Sequence, residues 1–334
     1  MRAIQVRSFG GPEVLEVVSL ADPVPGHGEL LVRVTGAGVN YADTHQVENT
    51  YLSGSELPFV PGSEVVGWTV EPGGQSRRVC GFVAHGGGYA ELAVVHPALA
   101  FDVPENVSDT QALSLLVQGL TAHHLVRTSA KVQYGESVVV HAAAGGVGNL
   151  AIQIAKQAGA GRVIATASSQ EKLDLALDRG ADVGVVLHSG LAATDVRHLL
   201  VEANGGRKVD VVLEMVGGAT FDGSLSALAP FGRLVTFGMA GRTPATAISP
   251  GSLMVGSHSV IGFWLVDCMR PMVAPSMVAA PLAELVAQVA AGTLRPIEGS
   301  TYALSAARHA HEDMRARRTT GKVVLDPRLD GAHA

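Results

Sequence analysis

The chain has 334 residues, 47% of them hydrophobic, enough for a sizeable core in each of two domains. The net charge is −6 with no long basic run, which excludes a nucleic-acid footprint, and no apolar stretch is long enough to cross a bilayer. The two cysteines, Cys80 and Cys268, lack the paired spacing of a disulfide framework or a cysteine zinc site.

The N-terminus, Met1-Arg-Ala-Ile-Gln-Val, reads as a strand and not as a signal peptide, so a reducing, cytoplasmic location is expected. The first third predicts short strands over Arg2–Val6, Leu15–Leu20, Glu29–Gly36, Glu64–Val70 and Tyr89–Val95, punctuated by Pro25-Gly26 and Pro61-Gly62. Many short strands with few helices suggest a barrel-like or sandwich-like unit.

The period then changes. A buried strand over Ser137–Ala142 is followed by a helix over Gly146–Ala158, with Leu150, Ile154 and Ala158 at spacing four. Strand Arg162–Ala167, helix Gln170–Arg179 capped by Gly180, strand Val183–Leu187 and helix Ala192–Glu202 continue the alternation. Val209–Glu214, Arg233–Phe237 and Val260–Phe263 complete six strands. Strands alternating with helices indicate a parallel sheet, and near-continuous apolar strands indicate cover on both faces. Helix Leu282–Ala290 and strand Gly321–Leu325 form a tail that returns to the first domain. The Arg315, Arg317 and Arg318 cluster in that tail reads as a solvated face.

The strongest local signal is Ala143-Ala144-Gly145-Gly146-Val147-Gly148, which follows a strand and opens a helix. It is the Rossmann dinucleotide fingerprint with alanine at the first glycine. Small residues there allow a tight turn, close approach to a pyrophosphate and close helix–strand packing, while N–H groups at the helix start face phosphate oxygens. An NAD site places a carboxylate about 20 residues further on, against the ribose hydroxyl. Here the strand ends Ala167-Ser168-Ser169-Gln170, with Glu171 already in the helix. Ser168, Ser169 and Lys172 would suit a 2′-phosphate, so NADPH is the expected cofactor, although both serines also suit helix capping.

The run from His141 to Ala160 resembles the core of the quinone oxidoreductases within the medium-chain dehydrogenase/reductase superfamily. Gly38-Val-Asn-Tyr-Ala-Asp43, Val60-Pro-Gly-Ser-Glu64, Gly87-Gly-Tyr-Ala-Glu91, Gln118-Gly-Leu-Thr-Ala122, Gly180-Ala-Asp182 and Thr320-Gly-Lys-Val-Val-Leu325 agree in order across nearly the whole chain. The resemblance implies an α/β chain with a GroES-like β-rich domain plus a six-stranded Rossmann domain. The catalytic domain would span 1–118, the Rossmann domain 119–262 and the returning catalytic segment 263–334, with the active cleft between them. It implies hydride transfer to a quinone, enone or similar activated double bond.

Zinc-dependent relatives place Cys where Asn40 stands and His where Ser63 stands, with a third ligand near Gln118 and a four-cysteine loop. Asn40 and Ser63 do not supply the three N, S or O ligands of a catalytic zinc, so the resemblance is to the zinc-free branch. His45, His85, His96, His123 and His124 read as packing or surface residues. Position by position, Asn40 would approach the nicotinamide and Thr121 the cofactor. Gly145, Gly146 and Val147 would hold the pyrophosphate, and Val216 with Phe237-Gly238-Met239 would line the path from adenosine to nicotinamide. Two departures stand out: Leu187-His188 replaces a tyrosine frequent near the 2′-phosphate, and the stretch from Glu71 to Val79 is short.

Negative charge develops on the substrate oxygen as hydride arrives, so a donor there lowers the barrier. Tyr41 and Tyr51 are the candidates, as donors or as cleft wall with water supplying the proton. Asp43 reads as a residue that fixes local backbone. The alternatives are an enoyl-thioester reductase of the same fold and a non-catalytic NADPH-binding regulatory protein. The apolar edge strand Ser259–Phe263 predicts a homodimer, the other possibility being cover by the tail from Trp264 to Pro281.

Overall fold

The computed structural model describes residues 1–70, 75–83, 86–270, 272–273 and 275–331. Part of the shortened stretch after residue 70, together with His85, lies outside the described residues. The chain divides into two units, residues 1–117 with 271–334, and residues 118–270.

In chain order the first unit contains strands β1 Arg2–Gln5, β2 Glu16–Ser19 and β3 Leu30–Val39, helix α1 Tyr41–Val47, strands β4 Glu64–Thr69, β5 Arg78–Phe82, β6 Leu92–Val95 and β7 Ala100–Asp102, and helix α2 Asp109–Ser114. The second unit opens with α3 Leu120–His124. It continues through β8 Ser137–Val140, α4 Gly146–Gln157, β9 Arg162–Ala167, α5 Gln170–Asp178, β10 Val183–Val186, α6 Ala193–Ala203, β11 Val209–Glu214, α7 Gly218–Ser226, β12 Leu228–Thr236, α8 Pro250–Met254 and β13 Ser259–Gly262. Helix α9 Ala280–Ala290, strand β14 Glu298–Ala303, helix α10 Ala307–Arg315 and strand β15 Lys322–Asp326 complete the first unit.

Among the described residues, the first unit's main sheet runs β14-β15-β3-β4-β5-β7, with β6 also pairing β3. β15 lies antiparallel to β3, with Val324 opposite Gly38, so the last strand of the chain is built into the sheet begun by the first third. Ile4, Val32, Val65, Tyr89, Val323 and Leu325 pack into one core.

The second unit's sheet is wholly parallel, in the order β10-β9-β8-β11-β12-β13. This is the doubly wound Rossmann order, and its direction reverses between β8 and β11. Open sheets of this kind bind ligands beyond the carboxyl ends of their strands at that reversal. The unit runs past Phe263, where the return was expected to begin, to Arg270. Phe263 explains the difference: its N–H extends the ladder to Thr236 (2.9 Å), and its ring lies 5.8 Å from that of His124.

Candidate functional site

The glycine-rich turn sits at the reversal point, between β8 and α4. Gly145 is extended and caps α4 without a side-chain acceptor, so the first N–H groups of the helix have no partner from the cap residue. The spacing of the turn is steric. A Cβ at Gly148 would lie 2.4 Å from the Ala142 carbonyl oxygen, and one at Gly146 would fall 2.0 Å from the Gln118 side chain. Asn149 Nδ2 donates to the carbonyls of Gly145 (2.8 Å) and Gly146 (2.9 Å), fixing the turn from inside the helix. Val147 is half-buried beside them. The left-handed residue of the turn is Ala142, at φ 49°, one position before the alanine that replaces the first glycine of the fingerprint. An uncapped helix start behind small residues fits an anion such as a pyrophosphate.

The end of β9 presents Ser168 and Ser169, both half-buried. Ser169 Oγ accepts the Lys172 N–H at 3.5 Å, a long cap bond that leaves its hydroxyl hydrogen to donate outward. Thus Ser169 does cap α5. Leu187 N–H donates to the Ala167 carbonyl (2.8 Å), which brings Leu187 and the exposed His188 to the same tip.

Glu214 ends β11 fully buried, at 0% exposure. Its Oε1 accepts the N–H groups of Val216 (2.7 Å) and Gly217 (2.9 Å), while its backbone carbonyl accepts Phe237 N–H (3.0 Å). Burial pushes its carboxyl above the usual range, against those two N–H bonds. Gly241 N–H reaches back to the Val216 carbonyl (2.8 Å) and Arg242 N–H to that of Met239 (3.0 Å). Glu214 therefore ties Val216 and Gly217, through its carboxylate, and Phe237, through its carbonyl, at the sheet edge, with Gly238 and Met239 next in the chain. Thr121 lies buried in α3.

In the first unit, Asn40 precedes α1 and its amide is spent internally. Nδ2 donates to Glu64 Oε1 (2.7 Å), and Oδ1 accepts from Lys322 Nζ (3.1 Å). Glu64 and Lys322 form an ion pair with both side chains at 0% exposure, and Glu64 Oε2 accepts Val117 N–H (3.1 Å). The side-chain contact with a nicotinamide expected of Asn40 competes with these bonds. Asp43 Oδ2 accepts the Asn40 N–H (2.8 Å) and the Tyr89 hydroxyl (2.8 Å), and that hydroxyl lies 3.1 Å from His311 Nε2. Asp43 thus holds backbone, as its position suggested. Burial raises its carboxyl to about 6, against the Asn40 N–H and Tyr89 hydroxyl bonds.

Tyr41 and Tyr51 are both half-buried. The His45 ring meets Tyr41 edge-on at 5.5 Å, and its Nδ1 lies 2.8 Å from the hydroxyl of Thr50, next to Tyr51. The other histidines have local work. His96 Nδ1 accepts Ala98 N–H, His123 packs against His124, and His124 Nδ1 lies 2.9 Å from Thr128 Oγ1. Among the described residues, no group of three or more His, Cys, Asp or Glu is placed to hold a metal. Both cysteines are free and buried, and burial raises both thiols. Arg315 pairs with Glu48 (3.0 Å) and Arg318 with Asp313 (2.5 Å), so the basic cluster of the tail is more ion-paired than a plain solvated face.

Glu64, Lys322, Glu214 and His141 carry most of this organisation, and residue-type reasoning did not single them out. For three of them the signal was present. Glu64 and Lys322 each open an apolar strand, and Glu214 closes one, where a lone charge must find a partner.

Residues 26–105 match the alcohol dehydrogenase GroES-like domain, and residues 146–283 match the zinc-binding dehydrogenase domain. A quinone oxidoreductase of Pseudomonas aeruginosa is 34% identical over 338 residues, covering 98% of this chain and 99% of that protein. The quinone oxidoreductase of Thermus thermophilus, solved alone and with NADPH, is 36% identical with a TM-score of 0.84, covering 98% of this chain and 100% of that one. The Escherichia coli quinone oxidoreductase complexed with NADPH is 29% identical with a TM-score of 0.87, covering the same shares.

Proposed function

Because the chain belongs to the quinone oxidoreductase-like branch of the medium-chain dehydrogenase/reductase superfamily, we propose that it is a zinc-independent enzyme that reduces a quinone, enone or similar activated double bond with NADPH. The observation that carries the cofactor choice is the tip of β9. Two hydroxyls and Lys172 stand there, and no carboxylate does. The T. thermophilus and E. coli relatives solved with NADPH support it.

NADPH, when bound, supplies the hydride. The chain's own part is to hold and to polarise. The open N–H groups at the start of α4 hold the pyrophosphate, with Gly145, Gly146 and Val147 admitting it. Ser168 and Ser169 donate to the 2′-phosphate and Lys172 adds charge. Val216 and Phe237-Gly238-Met239, held by Glu214, line the remaining path, with Thr121 approaching it. Asn40 contributes through its place at the head of α1, the segment that carries Tyr41. Tyr41 or Tyr51 donates to the substrate oxygen as negative charge builds there. Zinc independence rests on the donor set: the Asn40 amide already serves Glu64 and Lys322, and Ser63 is a poor ligand.

The reading includes a homodimer through β13, an edge strand whose Val260 and Ile261 are only half-covered, and a cytoplasmic location, with which two free cysteines agree. Among the described residues, no helix is long and apolar enough to cross a membrane.

A panel of quinones, enones and enoyl thioesters followed by NADPH absorbance tests the activity. Charge-assisted bonds to the 2′-phosphate contribute about 1.5–3 kcal/mol each, so NADPH should bind at least about tenfold tighter than NADH. Equal affinities would refute the cofactor assignment, and turnover of thioesters alone would refute the substrate class.

A further inference from the structure

His141 stands directly after β8, at 1% exposure, and the glycine-rich turn begins beside it. Its two ring nitrogens reach two other elements. Nδ1 lies 2.8 Å from Thr166 Oγ1 on β9, and Nε2 lies 2.8 Å from Ser224 Oγ on α7. Its backbone N–H donates to Leu213 on β11 (3.2 Å). One side chain thus joins the strand before the glycine turn, the strand before Ser168 and Ser169, and the helix that follows Val216 and Gly217. Thr166 is bonded on both sides, because its carbonyl also accepts the Ala143 N–H of the turn (3.0 Å).

The chemistry suits a permanent clamp. A neutral imidazole has one donor and one acceptor, and a hydroxyl serves as either, so both bonds form in either tautomer. Burial pushes the ring down to about 4, which keeps it neutral near pH 7. Both hydroxyl-bearing residues are buried, Thr166 at 2% and Ser224 at 0% exposure.

We infer that His141 is a positioning residue of the nucleotide site, and that its bond to Thr166 sets the distance between the turn facing the pyrophosphate and the Ser168–Ser169 tip facing the 2′-phosphate. The inference rests on the cofactor reading above and adds a division of labour. The Thr166 arm governs discrimination between NADPH and NADH, whereas the Ser224 arm steadies the Val216 side and leaves that discrimination alone.

The test uses the whole chain with Thr166→Val, Thr166→Ser, Ser224→Ala and His141→Phe. NADPH and NADH are titrated against each, and amide hydrogen exchange is followed without nucleotide. In Thr166→Val, exchange rises in residues 142–148 and 168–172, and the NADPH:NADH affinity ratio falls at least threefold. Thr166→Ser, which keeps the hydroxyl, restores both. Ser224→Ala raises exchange near residues 216–224 and leaves the ratio unchanged. His141→Phe does both. A merely structural role would weaken the two nucleotides equally, so an unchanged ratio in Thr166→Val overturns the inference. Unchanged exchange in Thr166→Val overturns it as well, and that readout needs no cofactor. If the parent chain itself binds both nucleotides alike, the cofactor reading fails first, and with it the discrimination role assigned to His141.

Discussion

Replacing Lys322 with methionine removes the ammonium from a pair whose side chains are both fully buried. Glu64 would retain only two donors, Asn40 Nδ2 and Val117 N–H, and Asn40 Oδ1 would lose its own. Breaking a buried pair by deleting one partner costs about 3–5 kcal/mol, because the remaining charge has no compensation or must take up a proton. For a urea slope of about 2–3 kcal/mol/M, the unfolding midpoint of the first unit should fall by roughly 1–2.5 M. Trp68 on β4 reports this unit and Trp264 reports the other, so the two transitions should be separated with single-tryptophan backgrounds. Glu64→Gln with Lys322→Met replaces the charges by neutral groups of similar volume and should recover more than half of the loss. A single variant that loses under about 1 kcal/mol, or a double variant no better than the single one, would refute the argument.

Ala142→Gly should stabilise the second unit by about 1 kcal/mol, since a non-glycine residue at φ 49° is strained, and urea unfolding checks it. His141 and His311 are pushed down to about 4 by burial, with Arg315 assisting at His311, so each contributes stability that is whole above 6.5 and is lost as pH falls towards 4. Asp43, raised to about 6, runs the other way: its contribution is whole below 3.8 and is lost as pH rises through 6. Glu214, also raised by burial, runs with Asp43, so the histidine contribution is read by difference: the stability gap between the parent chain and His311→Phe should shrink as pH falls from 6 to 4, and a gap that stays constant in urea midpoints contradicts the burial of that ring. Val260→Lys should convert a dimer to a monomer, because it places a charge without a partner in the β13 contact; a parent chain sedimenting as a single 34.4 kDa species would reject the dimer outright.

The second unit was legible because its strands are apolar runs and its helices are periodic, so hydrophobic pattern and turn chemistry agreed. All six strands and the glycine turn fall where the pattern puts them, within a few residues at most ends. The first unit was less legible. β14 reads Glu-Gly-Ser-Thr-Tyr-Ala, with two serine/threonine residues and a charge, and forms a strand only because it lies against β15. Helix α10 is strongly polar on one face, and in sequence it reads as a charged tail although Ala307, Ala310 and His311 are buried. In the candidate site, the turn and the serines were readable because their chemistry is local. His141 was not, because its partners lie in other elements: Ser224 is 83 positions away in sequence.

The motif strings that carry the family resemblance meet in space, and what they do there is structural. Gly38, Asn40 and Asp43 come from one string, Glu64 from a second, Tyr89 from a third and Lys322 from a fourth. A Cβ at Gly38 would sit 2.6 Å from Glu64 Oε1 and 2.7 Å from Lys322 Cε, so the glycine is the space the ion pair occupies. Asp43 then links Asn40 to Tyr89, and Tyr89 to His311. A chain that keeps these residues together preserves a buried polar cluster that tolerates few partial changes, since each loss strands a neighbour without a partner. The motifs therefore speak first for the architecture of the first unit. In the proposed reading the choice of cofactor rests instead on the ends of β9 and β10, where Ser168, Ser169 and Lys172 are half-buried and His188 is exposed. Assays of nucleotide preference thus probe a part of the chain on which those first-unit motifs are silent.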